Sequence, residues 1–351
     1  MSAAVTAAAQ TPLLEVRDLR VEFDTYGGTV KAVRGVDFSV EPGETLAIVG
    51  ESGCGKSVTV QSLMGLIPVP PGRITSGSAC LRGQNILGTT EIDGADFRGS
   101  EIGMIFQDPM TSLNPTMTIG RQVAETLEVH RGWNRRQSFA RAVELLEMVR
   151  IPDAEQRARQ YPFEFSGGML QRAMIAMAIA CEPCILIADE PTTALDVTIQ
   201  AQVLDLLAEL QKRRGTAIIL ITHDLGVVAR MADDVAVMYA GQIVEKGTVD
   251  DIFYRPAHPY TVGLRAAMPS NEPGRDHRLM PIDGSPPDLF SPPAGCAYAA
   301  RCLHAMKICA EHDPAPFQLG PDHFGRCWLH HTGVPDGLET LRSGPATGES
   351  A

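Results

Sequence analysis

Gly50-Glu51-Ser52-Gly53-Cys54-Gly55-Lys56-Ser57 reads G-x-x-x-x-G-K-S, the pattern of a phosphate-binding P-loop. The apolar run 45–49 directly before it is typical of a buried strand, and residues 58–64 after it can form a helix. In a strand–loop–helix unit, glycines let backbone N–H groups converge on phosphate oxygens, and the helix N-terminus adds a positive field. Lys56 can then reach the terminal phosphates and Ser57 can hold Mg²⁺. The octet therefore predicts a nucleotide site.

Composition limits the classes of function. The chain has 351 residues, 44% of them apolar, and a formal net charge of −12. This length suits two or three domains, or one large α/β domain with an appendage. The acidic charge argues against binding nucleic acid through a broad basic surface. No apolar run approaches the roughly 20 residues that span a bilayer, and residues 1–11 contain no Lys or Arg, so we expect no signal peptide.

Apolar patterns divide the chain into segments with different predicted structures. Residues 13–49 alternate β-like runs with Gly and Pro, which predicts an antiparallel β layer. Residues 118–182 have a mainly helical pattern, whereas 184–188 and 217–222 are short apolar runs suited to buried parallel strands. The predicted fold class is α/β with a helical insertion. We expect residues 1–12 to be a disordered lead-in.

An acidic pair follows one of these apolar runs, in Ile185-Leu186-Ile187-Ala188-Asp189-Glu190. A buried strand would place Asp189 at its C-terminal end, where ligands bind in α/β sheets. Asp189 can bind Mg²⁺, usually through water, and Glu190 can orient and polarise an attacking water as a general base. An isolated Asp-Glu pair is often only a solvated strand end, so this assignment depends on the neighbouring motifs.

A second anion site is predicted at Phe165-Ser166-Gly167-Gly168-Met169-Leu170-Gln171. Ser166 could cap a helix that starts here, and the two glycines leave backbone N–H groups exposed. A simple helix cap is the alternative interpretation. The string resembles the signature motif of ABC-type ATPases, and residues 13–250 resemble the nucleotide-binding domain of that family. The common signature begins with Leu and ends in Gly-Gly-Gln, whereas this chain has Phe165 and Met169 at those places.

The remaining motifs of that family also find matches, in the family's order. Gln107 matches the Q-loop glutamine, Ala194-Leu195-Asp196 matches the D-loop, and His223 matches the switch histidine that contacts the γ-phosphate. Tyr26 is the candidate for stacking on adenine, with Phe23 as the alternative. The resemblance implies catalytic roles for Lys56, Gln107, Glu190 and His223, and Mg²⁺ binding by Ser57, Gln107 and Asp189. It also implies ATP binding by Tyr26, Gly50 to Ser57, Val58, Ser166, Gly167, Gly168 and Asp196.

The resemblance also implies an architecture and a mechanism. ABC-type domains have a RecA-like P-loop core, an antiparallel β layer and a helical subdomain, here expected at about residues 107–180. Two such domains face head to tail, so that Ser166, Gly167 and Gly168 would touch ATP held by a partner. Closure of the dimer excludes water and hydrolysis reopens it, which gives a two-state element that can drive other work.

Longer strings resemble one branch of the family, the ATPase subunits of oligopeptide, dipeptide and nickel importers. These strings are residues 106–115, residues 188–202 and the HPYT element at 258–261, and Val58 resembles the D-type rather than the F-type subunit. The resemblance implies a homologous F-type ATPase partner, two transmembrane permeases docked on the helical insertion (about 107–165) and an extracytoplasmic solute-binding protein. It also implies a peripheral location on the cytoplasmic face of the inner membrane, with no nucleic acid bound.

Peptide import is therefore the predicted function, but alternatives remain. Nickel, glutathione or opine-like cargo cannot be separated from peptides, because the ATPase chain does not touch the cargo. A soluble ABC ATPase acting on ribosomes or in DNA repair is disfavoured by the acidic charge and by the lack of a second nucleotide domain or a long coiled coil. A regulatory partner that binds ATP without hydrolysing it is disfavoured by Glu190 and His223.

The C-terminal part differs in character, because Pro and Gly become frequent after about residue 268. We expect a separate, loop-rich extension at 251–332 and a flexible tail at 333–351. The extension contains Cys296, Cys302, Cys309 and Cys327, with the spacing C-x5-C-x6-C-x17-C. Four thiolates can bind zinc or a [4Fe–4S] cluster, and the loose spacing together with the family resemblance favours the cluster. Zinc, free thiols and disulfides remain alternatives, and the nearby His304, His312 and His323 are expected to be solvated.

Overall fold

The computed structural model describes residues 11–88, 91–92, 95–193, 195–268 and 282–334. Most of the predicted lead-in and tail, and Ala194 of the predicted D-loop, therefore lie outside the described residues. The strands are β1 Leu14–Thr25, β2 Gly28–Val40, β3 Thr45–Val49, β4 Gly72–Leu81, β5 Gln84–Asn85, β6 Glu91–Ile92, β7 Ala95–Asp96, β8 Ile102–Ile105, β9 Ile185–Asp189, β10 Ala217–Thr222, β11 Asp234–Tyr239, β12 Gln242–Thr248, β13 Phe317–Gln318 and β14 Phe324–Gly325. The α-helices are α1 Lys56–Leu63, α2 Pro109–Ser112, α3 Ile119–Arg131, α4 Arg135–Met148, α5 Ala154–Arg157, α6 Gly167–Ala178, α7 Val197–Arg214, α8 Leu225–Met231, α9 Val249–Tyr254, α10 Pro259–Ala266 and α11 Lys307–Glu311.

The main sheet has the order β13-β14-β12-β11-β3-β10-β9-β8. Strands β8, β9, β10, β3 and β11 are parallel neighbours, so their carboxyl ends meet along one edge. Residues of β3, β9 and β10 are buried throughout, as expected for continuous apolar runs covered on both faces. This arrangement brings the P-loop after β3, the acidic pair at the end of β9 and His223 after β10 to the same edge.

The second sheet has the order β2-β1-β4-β5 and its paired strands are antiparallel. It packs on the main sheet through a core that includes Val21, Phe38, Ile48 and Ile219. The β-like runs at 30–33 and 36–40 belong to one long strand, β2, which continues through Gly35 at φ +90°. The predicted antiparallel layer is therefore present, with longer strands than the sequence indicated.

A group of helices lies between β8 and β9 and forms the insertion. Its helices are α2 to α6, and the apolar faces of α3 to α6 share a core that includes Val123, Leu145 and Met174. Helix α4 begins after Asn134, whose side chain accepts from two backbone N–H groups, and α3 ends at Gly132 in the left-handed region. Local capping thus separates α3 from α4 and lets them pack side by side.

The C-terminal extension is not a separate module, so this expectation was wrong. Its strand β14 pairs with β12 and extends the main sheet, and Lys31 N–H donates to the carbonyl of Leu289. Without the extension, the edge of β12 would expose unpaired backbone groups, and β14 forms hydrogen bonds with them. No helix among the described residues is long and apolar enough to cross a membrane.

Candidate active site

The P-loop connects β3 to α1 in a conformation that requires glycine. Gly50, Gly53 and Gly55 all have φ between +79° and +155°, in or near the region that L side chains rarely adopt. Lys56 is buried, and its Nζ donates to the carbonyls of Gly50 at 2.8 Å and Glu51 at 3.0 Å. The ammonium group is thus held inside the loop in which phosphate oxygens would bind.

The two predicted Mg²⁺ ligands contact each other directly. Ser57 Oγ donates to Asp189 Oδ1 at 2.9 Å. Burial raises the pKa of Asp189, the hydrogen bond from Ser57 lowers it, and the neighbouring Glu190 raises it further. A hydroxyl and a carboxylate at this separation are the hard oxygen donors that Mg²⁺ prefers, so the pair fits the ion.

Glu190 is held from several sides at the end of β9. Its Oε2 accepts from Gln107 Nε2 at 3.1 Å and from Thr193 Oγ1 at 2.9 Å, and His223 Nδ1 lies 3.4 Å from its Oε1. Its backbone has φ +47°, which is uncommon for a non-glycine residue and is frequent at functional sites. The predicted catalytic residues Gln107, Glu190 and His223 are therefore brought together, and Thr193 joins them although the sequence did not single it out.

The Ser166–Gly168 segment stands at the start of α6. Ser166 occupies the N-cap position, as the sequence indicated, but its side chain makes no capping hydrogen bond. Ser166 and Gly167 are exposed, and the first turn of a helix has N–H groups without intrahelical partners. Among the described residues, no hydrogen bond joins this segment to the P-loop or to Glu190.

Helix α7 begins next to the segment that starts α6. A Cβ placed on Gly168 would lie 2.9 Å from Ile199 Cγ2, so Gly168 permits close packing of the two helices. Asp196 is the N-cap of α7, and its Oδ1 accepts from Ile199 N at 3.0 Å. Its carboxylate is therefore used in local structure here.

The two aromatic candidates for adenine differ in exposure. Tyr26 is fully exposed in the turn between β1 and β2, whereas Phe23 is partly buried against the core below the β layer. The ring of Phe290 lies near the adjacent Gly27 and Gly28 and is itself 44% exposed. Tyr26 is thus the freer of the two predicted rings, and Phe290 is a neighbour that the sequence did not indicate.

Two residues of the C-terminal extension reach the P-loop and were missed by sequence reasoning. Tyr260 Oη accepts from Glu51 N at 2.9 Å, and the Arg301 guanidinium binds the Glu51 carboxylate through both oxygens, at 2.8 and 3.0 Å. Tyr260 belongs to the HPYT element at 258–261, so that string was the available signal. No comparable pattern marked Arg301.

The four C-terminal cysteines line one small cavity together with His258 and His304. Burial raises the pKa of Cys296 to about 11 and that of Cys327 to about 12, so their thiols are protonated near neutral pH. Within the described residues, no group of three or more Cys, His, Asp or Glu side chains is arranged to hold a metal ion. The four cysteines thus border a common space.

One of the histidines expected to be solvated is instead buried. His323 has 7% exposure, and its Nε2 lies 3.0 Å from Oε1 of the fully buried Glu245. The same carboxylate accepts from the backbone N–H groups of Ala257 and His258. The prediction was wrong because the extension folds back on β12 and covers this position.

Known proteins match both parts of the chain. The ABC transporter profile matches residues 33–193, and the profile of the oligopeptide/dipeptide transporter C-terminal region matches residues 244–309. The oligopeptide transport ATP-binding protein OppD of Bacillus subtilis is 58% identical over 325 residues, which cover 93% of this chain and 91% of the relative. The chain belongs to the ABC transporter family. The dipeptide transport ATP-binding protein DppD of Lactococcus lactis is also similar, at 55% identity over 92% of each chain.

A solved ABC transporter structure shares the fold. The ATP-binding cassette MJ0796, in a dimeric post-hydrolysis state bound to ADP and Pi, superposes with a TM-score of 0.60 at 25% identity. The match covers 67% of this chain and 98% of that cassette. The predicted α/β fold and the resemblance to ABC ATPases are confirmed, and the chain is an ABC-type ATPase that carries an additional C-terminal region.

Proposed function

We propose that the chain is the ATP-hydrolysing subunit of an ABC importer for dipeptides or oligopeptides. One observation carries the ATPase part: Glu190, the candidate base, is hydrogen-bonded by Gln107 and lies beside His223 at the sheet edge that holds the P-loop. The relatives' names support the cargo class, because two of them are an oligopeptide and a dipeptide transport protein. Nickel, glutathione or opine-like cargo is the alternative within the same machinery.

Binding of ATP would use the P-loop and the exposed turn before β2. Backbone N–H groups of residues 50–57 would cradle the phosphates, Lys56 would move from the loop carbonyls to the terminal phosphates, and Tyr26 would stack on adenine. Mg²⁺, held by Ser57 and Asp189 with Gln107 nearby, would neutralise charge on the phosphates. Asp189 would be ionised in this role, because the carboxylate is the form that binds the ion.

Hydrolysis would use the group around Glu190. Its carboxylate would accept a proton from the attacking water, while Gln107 and Thr193 fix the orientation of the carboxylate. His223 would turn from Glu190 toward the γ-phosphate, and its 58% exposed side chain leaves room for that movement. Ser166, Gly167 and Gly168 would complete the site of a second ATPase domain, with Asp196 beside the interface, because within the described part of the chain no hydrogen bond joins them to the P-loop or to Glu190.

The proposed partners follow from the importer assignment. The chain would pair with a homologous F-type ATPase, and the pair would dock on two transmembrane permeases through the helical insertion at about 107–165. A solute-binding protein would deliver the cargo from outside the cell. The chain would therefore be peripheral on the cytoplasmic face of the membrane.

Glu190→Gln tests the ATPase mechanism. The amide keeps the shape and the contact with Thr193 but cannot take up the proton, so ATP hydrolysis should fall at least a hundredfold, at the lower end of general-base effects. ATP binding should be retained, and an ATP-dependent dimer should accumulate in size-exclusion chromatography of the assembled ATPase pair. Normal turnover by this variant would refute the assignment of the base.

Transport is tested separately in the assembled importer. We expect uptake of a labelled dipeptide or tripeptide into proteoliposomes to require ATP and to disappear with Glu190→Gln. Uptake of labelled nickel or glutathione instead of peptide would leave the ATPase assignment intact and overturn the cargo class. Co-purification with two permeases, a second ATPase and a solute-binding protein from native membranes would support the proposed partners.

We propose that the four cysteines bind a [4Fe–4S] cluster in the mature protein. The support is that all four border one cavity and that thiolates are the usual ligands of such clusters. The cavity must rearrange and the thiols must lose their protons, which is consistent with binding that is coupled to ligand deprotonation. Anaerobic purification followed by iron and sulfide analysis should give four of each per chain. Stoichiometric zinc, or neither iron nor zinc, would contradict the proposal.

A further inference from the structure

Glu51 of the P-loop is hydrogen-bonded to two residues of the C-terminal extension. Its carboxylate accepts hydrogen bonds from both terminal nitrogens of Arg301, and its backbone N–H donates to Tyr260 Oη. Its carbonyl in turn accepts from Lys56 Nζ at 3.0 Å. Glu51 therefore connects the extension on one side to the phosphate-binding lysine on the other.

Arg301 is fixed more firmly than a surface arginine. Its side chain is only 5% exposed, and its guanidinium also donates to the carbonyls of Asp283 and Ile282 and to Tyr239 Oη. The guanidinium carbon lies 5.8 Å from the centre of the Tyr239 ring and 5.9 Å from that of Tyr298. A planar cation held by several acceptors and two rings is preorganised, so it restrains its carboxylate partner in one geometry.

We propose that Arg301 is a positioning residue for nucleotide binding, through which the C-terminal extension sets the affinity of the P-loop for ATP. The Arg301–Glu51 ion pair holds the start of the P-loop in its phosphate-binding conformation. Binding of ATP then costs less conformational entropy, because the loop is already ordered. Arg301 acts through Glu51 and does not touch the nucleotide. Its effect belongs to ATP binding and not to the proton transfer at Glu190.

Arg301 lies next to the cysteine cavity of the extension. Arg301 ends the short 3₁₀ turn Ala299–Arg301, between Cys296 and Cys302, which both line the cysteine cavity. Tyr298, which packs edge-on against Tyr239, lies in the same stretch. A change in the cavity that moves this turn would move the guanidinium, so Arg301 mechanically connects the cysteine-bearing part of the extension to the P-loop.

The test is a set of variants of the full-length chain, with the dissociation constant for MgATP measured by calorimetry and with kcat and KM measured in the assembled ATPase pair. Arg301→Gln should weaken ATP binding about tenfold, within the range typical of coupling between sites. KM should rise in parallel and kcat should stay near the parent value. Arg301→Lys keeps the charge but loses the bidentate geometry, so it should recover part of the affinity.

Two further measurements separate positioning from a general structural effect. Arg255→Gln is the matched control, because Arg255 also lies in the extension but pairs with Asp251, away from the P-loop. It should leave ATP affinity unchanged. Glu51→Gln should reproduce the effect of Arg301→Gln, and the double variant should be no worse than either single one, since both remove the same contact.

Parent-like ATP affinity in a folded Arg301→Gln variant would overturn the proposal, as would additive losses in the double variant. An equal loss in Arg255→Gln would also overturn it, because the effect would then belong to the extension as a whole. If Arg301→Gln does not fold, Arg301→Lys decides: affinity equal to that of the parent contradicts the proposal, and a loss with constant kcat that is absent in Arg255→Gln supports it.

Discussion

At the scale of single residues, the site combines groups that are strained, buried or held by one another. Glu190 has a left-handed backbone, Lys56 is folded into its own loop, and Ser57 is hydrogen-bonded to Asp189. In the second and third cases, a hydrogen bond within the chain occupies a side chain that ATP or Mg²⁺ would bind. The resting site is therefore ordered by internal hydrogen bonds, which binding must replace one by one.

Glu44, just before β3, gives a prediction about pH. Burial raises its pKa from 4.5 to about 7, so the folded protein binds more protons than the unfolded chain between these pH values. Stability should therefore be lost as the pH rises across that window. Glu44→Gln should raise the free energy of unfolding at pH 8 by about 1–2 kcal/mol, less than the full shift because the group is partly exposed, and should change little at pH 5.

Urea unfolding of both proteins at the two pH values measures this difference. The parent protein at each pH is its own reference, since the other titrating groups are common to both chains. A gain in Glu44→Gln that is the same at pH 5 and pH 8 would exclude ionisation of Glu44 as the cause.

At the scale of elements, two neighbouring glycines at the junction between α6 and α7, Gly167 and Gly168, have different surroundings. Gly168 faces Ile199 closely, whereas a Cβ on Gly167 would meet nothing within 4 Å. The first glycine is therefore free of constraints within the chain. Its small size is needed only if something from outside, such as ATP on a partner domain, approaches the start of α6.

Gly167→Ala tests that reasoning. The substitution should leave the stability of the isolated chain within about 0.5 kcal/mol of the parent, because it fills open space at a helix start. It should nevertheless reduce ATP-dependent dimerisation and turnover, since the added methyl group would stand where a partner's phosphates approach. Thermal unfolding of the single chain and ATPase assays of the pair provide the two readouts. Parent-like turnover would contradict a role of this segment across the interface.

The elements also show what sequence could predict. The strand after residue 216 was predicted with its exact bounds, Ala217–Thr222, because apolar runs that are buried on both faces have a clear local pattern. The grouping of Gln107, Glu190 and His223 was expected from the family's order of motifs. Contacts such as that of Arg301 with Glu51 could not be predicted, because they join residues 250 positions apart and leave no local pattern.

At the scale of the whole molecule, a buried carboxylate attaches the C-terminal extension to the core. Glu245 on β12 is fully buried and accepts from Ala257 N at 2.7 Å, His258 N at 2.9 Å and the ring of His323. The sequence predicted the extension but not its attachment. The loop-rich composition suggested a separate module, while the attachment depends on one charged residue inside a strand.

Glu245→Ala should therefore be strongly destabilising. The substitution leaves two buried backbone N–H groups and a buried histidine without their acceptor, which should cost about 3–5 kcal/mol in the free energy of unfolding. Chemical unfolding measures the loss. Glu209→Ala is the control, because Glu209 pairs with Arg150 and Arg213 at the surface and its loss should cost less than about 1 kcal/mol. Equal effects of the two variants would show that Glu245 does not anchor the extension.

The pairing of β14 with β12 has one more consequence. It joins Glu245 to Gly325 and Lys246 to Phe324, in the middle of a strand that would otherwise form the border of the main sheet. An open border strand can recruit a strand from another molecule and so begin aggregation. The extension therefore also protects the edge of β12 from pairing with another molecule. A chain shortened before residue 324 would lack this protection and should aggregate more readily.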